Sequence, residues 1–207
     1  MRGTLADICS QVSNKASYEE ADIRTYVSTE SLLADKRGRQ VASSLPASGK
    51  VTKYEAGDTL VSNIRPYFKK IWHADCDGTC SGDVIAFRAT NPRFAPYVYA
   101  CLRQDAFFNF VIAGSKGTKM PRGDKRQMMM FPIDPYCKDG DLAIIASAVQ
   151  QIGANNRENA CLAGLRDALL PKLMSGEIDV SKVDLTQPNN HFGDCFLESS
   201  FQKPKER

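Results

Sequence analysis

The residue types best suited to metal binding or nucleophilic chemistry cluster at one place, His73-x2-Cys76-x3-Cys80. A zinc site needs four ligands and usually a second close pair. The other histidine of the chain, His191, lies far away in a polar segment. We therefore interpret Cys76 and Cys80 as two thiols on either side of a turn, and predict no metal site.

Signatures of common enzyme classes do not occur in the sequence. There is no GxGxxG or GxxxxGK[ST] phosphate loop, no HExxH and no Gly-x-Ser-x-Gly elbow. Two distant histidines do not suggest a serine triad. The sequence therefore predicts no catalytic residue and no cofactor in this chain. An enzyme with an irregular site built on Cys76 or Cys80 is an alternative, which retained function after Cys→Ser changes at both positions would argue against.

Positive charge concentrates in residues 114–126 (GSKGTKMPRGDKR), which hold five basic residues and one acidic residue. Three glycines and one proline in this segment indicate a loop. Glycines permit close approach of backbone N–H groups to phosphates, and Lys and Arg neutralise them. The segment therefore has the composition of a DNA-binding loop.

A second basic segment, residues 62–72 (SNIRPYFKKIW), carries three positive charges between aromatic residues. Arginine and asparagine are the types that read guanine and adenine edges. A third, weaker basic stretch covers residues 36–39 (KRGR). Basic surface loops are common, so charge alone leaves open that Tyr67, Phe68 and Trp72 are only core residues.

Together, these segments predict a DNA-binding face made from loops. The residues expected to face bases or phosphates are Asn63, Arg65, Lys116, Lys119, Arg122 and Arg126, with Lys69, Lys70 and Lys125 as phosphate contacts and Gly117 and Thr118 shaping the loop.

Length and composition indicate one globular domain with an appendage. The chain has 207 residues, 43% hydrophobic and 25% charged, with a net charge of +3. It has no apolar run long enough for a transmembrane helix. Seven cysteines without an export signal favour reduced thiols in the cytoplasm.

We expect strands near residues 23–28, 51–54, 59–64, 67–72, 83–88 and 128–133, and helices at 92–103 and 105–113. Short strands with few helices favour a mixed, loop-rich α+β fold.

A long helix is predicted over residues 139–176, with Gly176 as its stop. Apolar residues recur along it at three-to-four spacing, and residues 142–175 would extend roughly 50 Å. Such a helix needs a partner surface, either a second helix in a coiled coil or its own domain. Pro171 should kink or loosen the last turn. The residues predicted to pair helices are Ile145, Val149, Ile152, Leu162, Leu169 and Leu173. The predicted organisation is a domain at 1–135, the helix at 139–176, and a polar, disordered tail at 186–207.

Four segments in this order resemble the specificity subunit of type I restriction-modification enzymes. They are residues 54–66 (YEAGDTLVSNIRP), 77–81 (DGTCS), 114–122 (GSKGTKMPR) and 165–178 (LRDALLPKLMSGEI). The last resembles the end of that family's spacer helix. The resemblance covers about residues 1 to 185.

This resemblance implies a target recognition domain followed by one spacer helix. It also implies that the chain binds double-stranded DNA without catalysing a reaction. It would direct a methyltransferase subunit and a restriction subunit, which carry S-adenosylmethionine, ATP and Mg, to a bipartite site. The usual subunit has two recognition domains and two helices, so this chain corresponds to a half-length form that can pair with itself, to a fragment, or to an exchangeable half. A stand-alone DNA-binding regulator is the alternative function.

Overall fold

The architecture comes from a computed structural model, described for residues 3–117, 119–134 and 138–178. These residues form nine strands and four α-helices, with short 3-10 helices between them. The strands are β1 (Gly3–Thr4), β2 (Cys9–Gln11), β3 (Lys15–Ser17), β4 (Lys50–Tyr54), β5 (Thr59–Ser62), β6 (Ile71–His73), β7 (Gly78–Cys80), β8 (Val84–Ala89) and β9 (Pro132–Ile133). The helices are α1 (Ala95–Arg103), α2 (Asp105–Ala113), α3 (Lys125–Met129) and α4 (Asp139–Met174). The chain divides into two compact units, residues 1–162 and 163–207.

A four-stranded antiparallel sheet in the order β2-β8-β5-β6 lies at the centre of the first unit. Neighbouring residues of a strand point to opposite faces, and here both faces are covered. The face that packs against α1 and α2 contributes Val61, Ile71, Ile85 and Phe87. The opposite face contributes Leu60, Trp72, Val84 and Ala86 to a core shared with Tyr54 and Cys80. Burial on both faces explains why these strands are almost continuously apolar.

The second sheet, β3-β4-β7, is also antiparallel and supplies Tyr54 and Cys80 to that shared core. A third, two-stranded pairing of β1 with β9 sets Gly3 opposite Ile133. The start of the domain is thereby joined to the segment that leads into α4. Sheets and helices in separate stretches of the sequence confirm the predicted α+β class.

An ion pair between the buried Asp58 carboxylate and the half-buried Arg88 fixes the turn between β4 and β5. Asp58 is 2% exposed and accepts two hydrogen bonds of 2.8 Å from the guanidinium of Arg88 on β8. It also accepts a 2.9 Å bond from the Glu55 N–H, while Gly57 takes φ +93°. The Asp58 bonds raise the pKa of Arg88 further above its usual range. These bonds hold the turn that connects β4 to β5.

The long helix α4 has 36 residues and a length of about 54 Å. It ends as predicted before Gly176, which takes φ +74°. The helix continues through Pro171 to Met174. No helix in the described part of the chain is both long enough and apolar enough to cross a membrane.

The six residues predicted to pair helices fall into two groups. Val149 is 7% exposed and belongs to the first unit's core, and Ile145 and Ile152 pack against it. These three residues lie against the helix's own domain, which was the alternative to pairing with a second helix. Leu162 is exposed, and so are Leu169 and Leu173 in the second unit. Their role in helix pairing stays a prediction.

Most of the predicted elements are found, and three differ. The helices at 92–103 and 105–113 and the strands at 51–54, 59–64 and 83–88 are confirmed within a few residues. Residues 23–28 form a turn with one bridge at Val27, although they are rich in β-formers. Residues 66–68 form a 3-10 helix before β6, because Pro66 sets the backbone of its first residue. Of the strand expected at 128–133, residues 132–133 form β9, whereas residues 128–129 belong to helix α3, which Asp124 caps.

Candidate nucleic-acid interface

The two strongest basic segments are joined through their backbones. Lys116 and Arg122 exchange N–H···O bonds of 3.0 and 2.9 Å, which close residues 116–122 into a hairpin. Gly117 takes φ +99° inside it, a conformation that glycine adopts without strain. The Arg65 N–H then donates a 2.8 Å bond to the Pro121 oxygen. We call residues 63–70 and 116–122 the paired basic loops.

Most residues predicted to contact DNA lie at the surface of this region. The side chains of Lys116, Lys119, Arg122, Lys125 and Arg126 are exposed, and those of Arg65, Lys69 and Lys70 are half-buried. Lys125 and Arg126 directly follow the second loop in the first turn of α3. Thr118 lies outside the described residues. The structure therefore brings together the basic residues that the sequence places in separate segments.

Asn63 differs, because it is only 7% exposed. Its N–H donates to the Asp83 oxygen at 2.8 Å, and its backbone oxygen accepts from Gly123 at 3.1 Å. A Cβ at Gly123 would lie 3.1 Å from the Asn63 Oδ1. Asn63 therefore supports the junction of the loops from beneath, and its side chain is not at the surface where it was expected to read bases.

Acidic residues pair with part of this positive charge. The Arg122 guanidinium lies 3.0 Å from Asp83, and the carboxylate of Asp105 binds Lys36 at 2.7 Å and Lys69 at 2.8 Å. The hydrogen bonds from Lys36 and Lys69 lower the pKa of Asp105 to about 2. The Asp83 and Asp105 carboxylates are 41% and 61% exposed. Ion pairs with exposed carboxylates stabilise little in water, so phosphates can replace these carboxylates at low cost.

Four exposed basic side chains of the region form no ion pair with a carboxylate among residues 3–117, 119–134 and 138–178. They are Lys116, Lys119, Lys125 and Arg126. Asp124 instead accepts backbone bonds from Arg126 and Gln127, which lower the pKa of its carboxyl. The region thus carries positive charge that is available to an anionic polymer.

Sequence reasoning missed Asp83 and Asp105 as parts of this surface. The basic stretch at 36–39 was predicted to belong to this surface. Of its residues, Lys36 binds Asp105. Arg39 turns inward, with its guanidinium 4.5 Å above the Trp72 ring and a 2.8 Å bond to the Arg24 oxygen. Charge pattern alone does not distinguish these two side chains.

The cysteine and histidine cluster has the properties of core residues. Cys80 is fully buried, and burial raises the pKa of its thiol to about 12. A thiol held protonated is a poor nucleophile and metal ligand. Burial also lowers the pKa of His73, whose ring centroid lies 5.2 Å from that of Tyr99. In the part of the chain that the structure describes, no three His, Cys, Asp or Glu residues are grouped to hold a metal ion.

Comparison with known proteins gives matches in fold but not in sequence. No protein-family model matches the chain, and no curated protein matches its sequence. The HsdS subunit from Thermoanaerobacter tengcongensis is similar over 89% of this chain and 51% of its own, with 20% identity and a TM-score of 0.53.

Two further structures show the same fold. The S subunit of the type I restriction-modification system from M. genitalium is similar over 86% of this chain and 46% of its own, with 14% identity and a TM-score of 0.59. The third structure concerns complex assembly and conformational transition of the type I restriction-modification system. It is similar over 89% of this chain and 51% of its own chain, with 16% identity and a TM-score of 0.55. The chain spans about half the length of these structures. Its fold is that of about half of a type I restriction-modification specificity subunit.

Proposed function

We propose that this chain is a DNA-recognition subunit of a type I restriction-modification complex. The observation that carries the proposal is the junction of the two basic loops by the bond from Arg65 to Pro121, on a chain with the fold of specificity subunits. Each loop alone is an ordinary basic surface segment. Joined, they form one positive surface of the kind that binds the phosphate backbone and reaches base edges.

The proposed partners are double-stranded DNA, a methyltransferase subunit and a restriction subunit, in the cytoplasm. Catalysis and the groups it requires, S-adenosylmethionine, ATP and Mg, belong to those other subunits. The buried, protonated Cys80 thiol supports this assignment, because it offers no reactive group at the surface.

A chain with half the length of its structural neighbours needs a second recognition domain to read a bipartite site, and we propose a second copy. Exposed positions on α4 recur at steps of 4, 3, 4, 3, 4, 3 and 4 residues. They are Ile144, Ala148, Gln151, Asn155, Glu158, Leu162, Leu165 and Leu169. This spacing is the same in both directions, so an antiparallel copy would set Ile144 opposite Leu169 and Ala148 opposite Leu165.

Two-fold symmetry of such a pair requires a palindromic target with two separated half-sites. The test is selection of bound duplexes from a random pool, with and without a methyltransferase subunit. A bipartite palindrome supports the self-paired subunit, and an asymmetric bipartite motif points to a different second domain. Selection that needs no methyltransferase and yields a single half-site favours a stand-alone regulator. A folded chain that enriches no sequence in either condition would contradict DNA recognition.

A further inference from the structure

Two aromatic side chains are exposed within the paired basic loops. Tyr67 is 48% exposed and Phe68 is 39% exposed, the highest values among aromatic residues in the described part of the chain. Their ring centroids lie 4.7 Å apart. Other aromatic residues, such as Phe107 and Phe108, are fully buried. Exposed aromatic area is unfavourable in water, so this pair has a position that packing of the domain alone does not require.

The backbone holds the pair in a fixed and strained conformation. Arg65 and Lys69, on either side of the 3-10 helix Pro66–Phe68, both take φ +50°. Left-handed backbone is unfavourable for a residue with a side chain, because its Cβ approaches the following carbonyl oxygen. Neighbouring loops maintain it, since the Phe68 and Lys69 oxygens accept bonds of 2.9 and 3.0 Å from the N–H groups of residues 35 and 36. The rings are therefore placed before any partner binds.

Basic residues flank the two rings in the sequence, and one of them lies near Phe68 in space. The Lys70 Nζ lies 6.0 Å from the Phe68 ring centroid, and Lys69 and Arg65 bracket the pair in sequence. The Arg65 N–H bond to Pro121 places the basic hairpin next to the same loop. A partner that fits this surface offers both negative charge and flat apolar faces. Nucleic acid provides both, as phosphates and bases.

We propose that Tyr67 and Phe68 form an aromatic wedge that enters a base step of the bound duplex and stacks on the separated bases. The inference rests on the proposed function, since it requires DNA at the paired basic loops. Inserted apolar side chains partly unstack a step and bend the duplex. Pyrimidine–purine steps unstack most easily. The wedge therefore favours a TA or CA/TG step at its position, without a hydrogen bond to either base.

The test uses the full chain with its methyltransferase subunit and a duplex carrying the selected site. 2-Aminopurine replaces each adenine of one half-site in turn, and its fluorescence rises where stacking is lost. The wild type should give one rise at the base that the methyltransferase rotates out for its chemistry, and a second at the wedge step. The double variant Tyr67→Ala/Phe68→Ala should lose only the second rise and bind about 5- to 150-fold more weakly.

Two further variants separate stacking from other effects. Tyr67→Phe keeps the ring and should keep the second rise. Phe94→Ala removes an aromatic ring from another 3-10 helix, Pro92–Phe94, where Arg93 lies 5.1 Å from that ring; it should leave both rises unchanged. Unfolding temperatures of all variants show whether the fold is retained.

The outcomes distinguish the wedge from the proposed function. Tight, selective binding by the wild type without a second rise, or a second rise that survives the double variant, overturns the wedge and leaves DNA recognition intact. Failure of the folded wild type to bind any duplex overturns both.

Discussion

The backbone N–H of Arg65 and the backbone oxygen of Pro121 are 2.8 Å apart, and this contact joins two loops that are distant in the sequence. The adjoining bridge between Ile64 and Arg122 extends the junction. Because both contacts use backbone atoms, they position the side chains of either loop relative to the other.

Replacing Arg122 with alanine should weaken DNA binding. The guanidinium would exchange its exposed partner Asp83, 3.0 Å away, for a phosphate. We expect Arg122→Ala to lower the affinity for all duplexes and to reduce the slope of log K against log salt by about 1. Titration of the complex at several salt concentrations measures both quantities.

The matched control for this change is Arg93→Ala. Arg93 is similarly exposed and is also paired with one carboxylate, Asp139, but lies outside the paired basic loops. It should change neither affinity nor slope. Equal effects of the two substitutions would remove Arg122 from the interface.

A charge on the exposed stripe of α4 should prevent self-association. Leu165→Glu or Leu169→Glu would bury a carboxylate in the proposed antiparallel pair, and a buried unpaired charge is costly. We expect the dissociation constant of the dimer to rise by a factor of ten or more, or about 1.4 kcal/mol. Sedimentation equilibrium measures this constant. Leu170→Glu is the control, because Leu170 is exposed but lies off the stripe. A wild-type chain that stays monomeric at high concentration would contradict self-pairing.

Loss of Arg88 should destabilise the first unit. Arg88→Leu leaves the Asp58 carboxylate, whose side chain is 3% exposed, without its cation. Loss of one partner of a buried pair costs about 3–5 kcal/mol of stability. Because Arg88 is itself partly exposed, we expect the loss of unfolding free energy to be near the lower value. Urea unfolding measures the free energy. Addition of Asp58→Asn should recover part of the loss, and a double variant less stable than Arg88→Leu would rule out this explanation.

Stability should fall in mild acid because of His73. Burial lowers the pKa of this imidazole below its ordinary 6.5, although Asp75 and Asp58 partly oppose the shift. The unfolded chain therefore binds a proton at a pH where the folded chain does not. The free energy of unfolding should decrease as the pH falls below 6.5, and His73→Gln should remove that decrease. Urea titrations at pH 7 and pH 5.5 compare the two proteins. If both proteins lost the same free energy of unfolding between pH 7 and pH 5.5, the decrease would come from groups other than His73.

Local patterns in the sequence predict those elements whose own residues determine them. The helix Asp105–Ala113 and the end of α4 at Gly176 follow from apolar spacing and a glycine stop. The burial of Asn63 depends on Gly123, a residue distant in the sequence that lies against it. The same holds for Arg39, which binds Trp72 instead of facing solvent. Such choices depend on three-dimensional neighbours that one-dimensional spacing does not specify.

The hairpin of residues 116–122 is closed and docked by bonds between backbone atoms of Lys116, Arg122, Arg65 and Pro121. Replacement of the exposed side chains at 116, 119 and 122 therefore leaves the path of the loop unchanged. If this hairpin reads DNA as proposed, a few point substitutions at these positions would change its target sequence while the backbone that holds them stays the same.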